Sequence, residues 1–327
     1  MKAVRAEKID GIDDYEMVEV ATPTPAMDGV LIEVHACGMG YVDALVALGG
    51  YQVKPPVPFT PGLEIAGRVA ALGSGVSRLN PGDRVMAYGF GGGLAQYALA
   101  PNSSTWIIPK SLSFAEAAAL RTNYLTAYHG LRDRAALKPR ERLLVFGASG
   151  GVGSAAVQLG RLMGAEVIAV ASTEEKREFA LATGAHHALD TNLASWRDRL
   201  KAICDGVGPD VVFDPVCGHL MEPAFRSQVW GGRYLVVGFV GGPIAKLPVN
   251  LPLMKGASLI GVDVRQFVEF ERERADAHIA ELLRWAADGR LTPVVGRRFP
   301  FSQFKDAMNF ALSGKGIGRT VIDVVSD

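Results

Sequence analysis

Residues 142–171 read RLLVFGASGGVGSAAVQLGRLMGAEVIAVA. Arg142–Phe146 is a continuous apolar run, the pattern of a strand buried on both faces. A loop with glycines at 147, 150, 151 and 153 follows, then Gly153–Met163 at helical spacing and a second strand, Glu166–Ala171. Gly147 permits the sharp turn from strand to helix. Gly150 and Gly151 let the backbone approach a pyrophosphate, and Gly153 lets the helix pack on the strand. Free N–H groups at the helix N-terminus, those of Gly150, Gly151, Val152 and Gly153, favour negative charge there. The spacing is not a strict GxGxxG, but the strand before it and the helix after it supply the context that gives such a loop meaning. The alternative is a glycine-rich turn in a flavodoxin-like sheet that binds no dinucleotide.

The same rhythm continues downstream. Thr173–Thr183 reads as helix, Ala185–Leu189 as strand, Ala194–Cys204 as helix and Asp210–Asp214 as strand. Leu220–Val229 (helix), Gly232–Gly238 (strand) and Ser258–Val262 (strand) complete the set. Strands alternating with helices give βαβ units, a parallel sheet and a doubly wound domain. The N-terminal part has a different texture. Gly29–Ala36, Ile65–Leu72 and Asp83–Tyr88 are short β-type runs separated by turn signals such as Ser77–Gly82, which predicts a small β-barrel or sandwich. Phe114–Gly130 reads as helix with Ser113 as N-cap. The tail holds a long helix, Phe267–Ala287, and a strand, Arg319–Val325. The expected fold is α/β: a β-barrel domain over residues 1–120, a doubly wound Rossmann domain over 121–262, and a segment, 263–327, that returns to the first domain.

The bulk properties agree with a globular enzyme. The chain has 327 residues, with Lys plus Arg 34 and Asp plus Glu 34, so its formal charge is zero. No basic field exists for wrapping nucleic acid or coating an anionic membrane. Three scattered cysteines, Cys37, Cys204 and Cys217, form no disulfide framework and suit a reducing, cytoplasmic setting. The opening MKAVRAEKIDGIDDYE has no apolar core of a signal peptide, and no run approaches the ~20 apolar residues of a membrane span.

The end of the second Rossmann strand selects the cofactor. An NAD-preferring fold carries Asp or Glu there to accept from the ribose 2′-OH. This chain has Ala171, Ser172 and Thr173, then Lys176 and Arg177. A 2′-phosphate needs hydroxyl and cationic donors, so Ser172 and Lys176 favour NADPH. Glu174 and Glu175 act against that preference. In the alternative reading, Ser172 or Thr173 is an N-cap and Lys176 a solvated helix charge.

These motifs carry a family resemblance. GMGYVDALVALGGYQVKPPVPFTPGLEIAGRV (38–69), NPGDRV (80–85), NYLTAYHGL (123–131), the glycine loop, DVVFDPVCG (210–218) and GGRYLVVGF (231–239) occur in order over essentially the whole chain. The chain resembles the medium-chain dehydrogenase/reductase superfamily, specifically its zinc-free NADPH:quinone oxidoreductase (zeta-crystallin-like) branch. The resemblance implies a GroES-like catalytic domain with an inserted Rossmann domain, and a cytoplasmic homodimer. It also implies hydride transfer from NADPH to a quinone. Two alternatives remain open: reduction of an enone, enal or enoyl thioester, and a weakly catalytic NADPH-binding protein.

Zinc-dependent relatives carry Cys at the position of Gly40 and His at that of Leu63, neither of which can ligate here, so no metal is expected. Without zinc to polarise a carbonyl, an easier electrophile is expected, one that delocalises the incoming charge. Gly40 and Leu45 stand where relatives place Asn and a second Tyr, which leaves a roomier, more apolar pocket. The resemblance makes Tyr51 the candidate catalytic residue, lining the substrate pocket. It places Thr126, Gly238 and Phe239 by the nicotinamide and has Arg319 reach the cofactor from the last strand.

Overall fold

The computed structural model describes residues 1–52, 54–191 and 194–325. The chain forms two compact units: Met1–Arg121 with Leu283–Asp327, and Thr122–Leu282.

The second unit is built on a six-stranded parallel sheet. In chain order its strands are Arg142–Phe146, Glu166–Val170, His187–Leu189, Val211–Asp214, Arg233–Val236 and Ser258–Gly261. Numbered one to six, they lie side by side in the order 3-2-1-4-5-6. The strand order therefore reverses between Arg142–Phe146 and Val211–Asp214. In an open α/β sheet that switch point, at the carboxyl ends of the strands, is where ligands bind. The central strands are apolar throughout because both faces are covered: Leu143, Leu144, Val145, Val211, Val212 and Phe213 are fully buried.

The first unit holds a mixed seven-stranded sheet and a two-stranded ribbon, Lys2–Arg5 with Glu16–Glu19. The long strand Gly29–Met39 is its spine. It pairs antiparallel with Glu64–Leu72 and Tyr97–Pro101, and at its far end with Arg319–Asp323. Glu64–Leu72 pairs in turn with Arg84–Tyr88. Val30, Ile32, Val34, Cys37, Ile65, Val85 and Ile322 form its apolar core. The helix Phe114–Ala117 begins in a capping box: the Ser113 hydroxyl accepts from the Glu116 amide, and the Glu116 carboxylate accepts from the Ser113 amide.

Several expectations differ in detail from the structure. The helix expected over 114–130 is three pieces: Phe114–Ala117, Arg121–Tyr128 and a π-helical turn, His129–Arg134. The helix expected over 267–287 is also divided, into Val264–Phe270 and Arg272–Ala287. The C-terminal return begins at Leu283 rather than at 263. The reason is a side-chain cluster that ties residues 264–281 to the π-helical turn. His129 and His278 both meet Asp133 Oδ2 at 2.8 Å. Phe267 stacks on His129 with centroids 3.8 Å apart. Glu281 accepts from the Tyr128 hydroxyl at 2.6 Å and from Arg132 at 2.7 Å.

Burial works against the Asp133 charge. The hydrogen bonds from His129 and His278, with the electrostatic pull of His278 and of the Arg274 guanidinium, outweigh it and hold the carboxyl well below its usual range. A depressed carboxyl stabilises the fold above its unfolded pKa, near 4, and that contribution is lost as pH falls. Asp133→Ala should therefore cost about 3 kcal/mol at neutral pH. In urea titrations the gap between variant and parent should shrink below pH 4.

Candidate active site

Gly147 has φ +55°, the left-handed conformation that lets the chain leave its strand at a sharp angle. Gly150 is then the extended N-cap of the helix Gly151–Leu162. A Cβ at 153 would overlap the Gly147 carbonyl oxygen, and one at 151 would lie 2.7 Å from Asn123 Nδ2. Side chains are excluded on the packed side of the loop. The first-turn amides of Gly151, Val152 and Gly153 lack intrahelical acceptors and are available to a phosphate.

Across the switch point lies a second ordered turn. Asp214 ends its strand and is 1 % exposed. Its Oδ1 accepts from the amides of Val216 at 2.7 Å and Cys217 at 2.9 Å, and its Oδ2 accepts from the Tyr234 hydroxyl at 2.5 Å. Burial raises the carboxyl and these donors only partly offset it. The turn holds Cys217 at φ +48° and sets Val216 against Gly147, whose added Cβ would lie 3.2 Å from Val216 Cγ2. Two backbone loops thus flank the crevice. Burial pushes the Cys217 thiol up to about 12, so it is no nucleophile.

The other residues singled out in this unit fall as follows. Gly238 follows the strand Arg233–Val236, where an added Cβ would lie 3.0 Å from the Pro215 carbonyl oxygen, and Phe239 is exposed. Thr126 is buried and its hydroxyl donates to the Thr122 carbonyl at 2.6 Å. Ser172 is exposed at the end of the second strand. Thr173 is the N-cap of Glu174–Thr183, accepting from the Lys176 amide at 3.3 Å. Arg177 bridges the Ala171 carbonyl and Asp190.

In the first unit the structure assembles a charged cluster. Arg319, 6 % exposed, directs Nη2 at Asp43 Oδ2 (2.8 Å) and Glu64 Oε2 (3.5 Å). Burial works against its charge, but Asp43 and Glu64 outweigh it and raise the guanidinium above its ordinary value. The Asp43 carboxylate also accepts from the amides of Gly40 at 2.8 Å and Leu63 at 3.3 Å. Those are the two positions at which zinc-dependent relatives place ligands. A Cβ at Gly40 would overlap Arg319 Nη1. Cys37 is fully buried in the barrel core, with its thiol pushed well up by burial and by Asp43. Among the described residues no group of three or more His, Cys, Asp or Glu could hold a metal ion. The residues present do not fit zinc: Gly40 and Leu63 carry no ligating side chain, and the nearby carboxylates of Asp43 and Glu64 are held by the Arg319 guanidinium.

Tyr51 lies half-buried in a bend and packs against the barrel core, as does Tyr88. Glu64, Tyr88 and Arg121 were not singled out by the sequence. Asp43 and Glu64 sit inside the GMGYVD and GLE segments, where only the missing metal ligands drew notice.

Both units match known families. Residues 151–281 match the zinc-binding dehydrogenase family, and residues 26–110 match the alcohol dehydrogenase GroES-like domain. A quinone oxidoreductase-like protein 2 homolog from Nematostella vectensis is 35 % identical, over 90 % of this chain and 81 % of its own. The crystal structure of a probable oxidoreductase from Mycobacterium abscessus superposes with TM-score 0.90 at 35 % identity, covering 99 % of both chains. Escherichia coli quinone oxidoreductase complexed with NADPH superposes with TM-score 0.90 at 26 % identity, covering 99 % of this chain and all of that one. The fold is that of a medium-chain dehydrogenase/reductase, a GroES-like domain with a Rossmann domain. The chain belongs to the quinone oxidoreductase branch of that family.

If Arg319 fills the zinc position, protein incubated with zinc and desalted should hold no stoichiometric metal by elemental analysis. Gly40→Ala should displace the guanidinium from Asp43 and cost about 2 kcal/mol in chemical denaturation. One zinc per chain would contradict this reading.

Proposed function

We propose that this chain is an NADPH-dependent, zinc-independent reductase of quinones. The observation that carries the reading is the glycine cradle at the switch point of a 3-2-1-4-5-6 sheet, in a member of this branch. The E. coli relative bound to NADPH supports the cofactor. The first-turn amides of Gly151, Val152 and Gly153 hold the diphosphate, while Gly150, whose own amide donates back to the Gly147 carbonyl at 2.9 Å, leaves room for it; Ser172 and Lys176 read the 2′-phosphate. Thr126, Gly238 and Phe239 border the nicotinamide. Bound there, NADPH supplies a hydride. Tyr51 donates a hydrogen bond to the acceptor oxygen and orients the proton that follows, an effect of about 10²–10⁴-fold where a general acid acts. Arg319 enters as an internal cation that holds Asp43 and Glu64.

The cofactor test is titration by nicotinamide fluorescence. NADPH should bind several-fold tighter than NADH. Lys176→Ala should weaken NADPH at least tenfold and NADH little, since a charge-assisted hydrogen bond is worth about 1.5–3 kcal/mol. NADPH oxidation should then follow addition of a quinone. Equal affinities, or turnover with enones alone, would overturn the respective part.

We further infer a cytoplasmic homodimer. The sheet ends at Ser258–Gly261, an edge strand with Leu259 exposed, and the preceding helix Asn250–Lys255 exposes Leu253 and Met254. An unpaired apolar edge invites a second copy about a two-fold axis. Light scattering should give twice the 34.8 kDa chain mass. Leu259→Lys should shift the protein toward monomer.

A further inference from the structure

Tyr88 closes the strand Arg84–Tyr88 and lies directly opposite Glu64 in the antiparallel pair. Residues opposite one another share a face, with Cβ atoms about 4.5–5.5 Å apart. The phenol therefore stands on the same face as the carboxylate that meets Arg319. Gly38 is the Glu64 partner on the other side, so no side chain stands beside Glu64 on the neighbouring strand.

Arg121 covers the ring. Its Cζ lies 3.7 Å from the Tyr88 centroid, and Arg121 is only 5 % exposed. A desolvated guanidinium over an aromatic face is a stronger clamp than one in water. The stack holds the ring by its face and leaves the hydroxyl, at the ring's edge, outside that contact. Burial is the main influence on the phenol and raises it, Arg121 lowers it, and Asp43, Glu64 and Tyr51 raise it further. Tyr88 thus keeps its proton and remains a donor. Tyr51 is close enough to be felt electrostatically, and both rings pack on the same barrel cluster. Two guanidiniums accompany the carboxylates here, Arg319 on Asp43 and Glu64 and Arg121 over the Tyr88 ring.

We propose that Tyr88, clamped by Arg121, is a second hydrogen-bond donor of the acceptor site, paired with Tyr51 and directed at an acceptor oxygen that gains negative charge. This rests on the reductase reading above and adds to it a residue and a ligand chemistry, a delocalised aryl or vinyl oxyanion. A phenol neutral on both sides of the reaction loses nothing when the acceptor is uncharged and strengthens its hydrogen bond as charge arrives, which is the differential binding that lowers a barrier.

Tyr88→Phe tests it, because the ring and its stack on Arg121 survive and only the oxygen goes. The first readout is direct binding of 4-nitrophenolate, a delocalised aryl oxyanion, followed by its absorbance shift with NADP⁺ present. The parent should bind it and Tyr88→Phe should bind about tenfold more weakly. The second is kcat/KM for duroquinone, which should fall about tenfold to a hundredfold with NADPH affinity at the parental value. Parental binding and parental kcat/KM in Tyr88→Phe would overturn the proposal, as would a parent that does not bind the probe. A parent that binds the probe in a Tyr88-dependent way but reduces no quinone would overturn the reductase reading and leave the donor standing.

Discussion

The buried guanidinium of Arg319 is what the first unit's charged interior depends on. Two carboxylates, Asp43 and Glu64, are 2 % and 0 % exposed. Charges removed so far from water are costly unless a counter-charge and hydrogen bonds accompany them. Arg319 supplies the first, and the amides of Gly40 and Leu63 supply part of the second. The constraint spreads from there. Arg319 arrives on the last strand, so the C-terminal return is tied to the sheet by charge as well as by its ladder to Gly29–Met39. Gly38 must lack a side chain because the Ala118 carbonyl closes over it, and a side chain at Gly40 would force Arg319 Nη1 out of the volume it occupies. A cluster of this kind is weak evidence for stability and strong evidence for specificity of arrangement, since removing one member leaves a buried charge unmatched.

The second unit uses carboxylates in the same way. Asp133 receives two histidines and fixes the helix Arg272–Ala287 on the π-helical turn. Asp214 receives two backbone amides and a phenol and fixes the turn that faces the glycine loop. In both cases a short-range geometry, one helical turn or one Asx-type turn, is over-determined by a long-range partner. The crevice at the switch point is therefore bounded by backbone held from behind, which suits a ligand recognised through amides and shape.

What was legible in the sequence was what local pattern encodes. The strand Arg142–Phe146, the turn at Gly147 and the helix after Gly150 follow from an apolar run and glycine placement, both readable within a few residues. The N-cap at Ser113 follows from a serine placed just before the helical run, and the structure adds the capping box with Glu116. Arg319 was harder. Its resemblance pointed to the cofactor, whereas its guanidinium meets partners 276 and 255 residues away in sequence, and no periodicity carries that. Tyr88 and Arg121 escaped notice for the same reason: one ends a strand, the other opens a helix, and only the fold stacks them. The break between Phe270 and Arg272 leaves no local mark either, because the contacts on its two sides, Phe267 on His129 and His278 on Asp133, belong to distant chain.

On the zinc-independent reading proposed above, a guanidinium beside Gly40 limits the chemistry that remains. A metal ion polarises a carbonyl by direct coordination and contributes several kcal/mol to a developing oxyanion. Arg319 cannot substitute for that, because its charge is already shared by Asp43 and Glu64. On the assignment proposed above, the groups that meet an acceptor are phenols, Tyr51 and Tyr88, whose neutral hydrogen bonds to an anion are each worth about 1.5–3 kcal/mol. Two such donors fall short of stabilising a localised alkoxide. They are enough for an oxygen whose charge spreads into a ring or a conjugated system. The arrangement around Arg319 thus narrows the acceptor to one that carries its own electron sink, which is the property a quinone has and a simple aldehyde lacks.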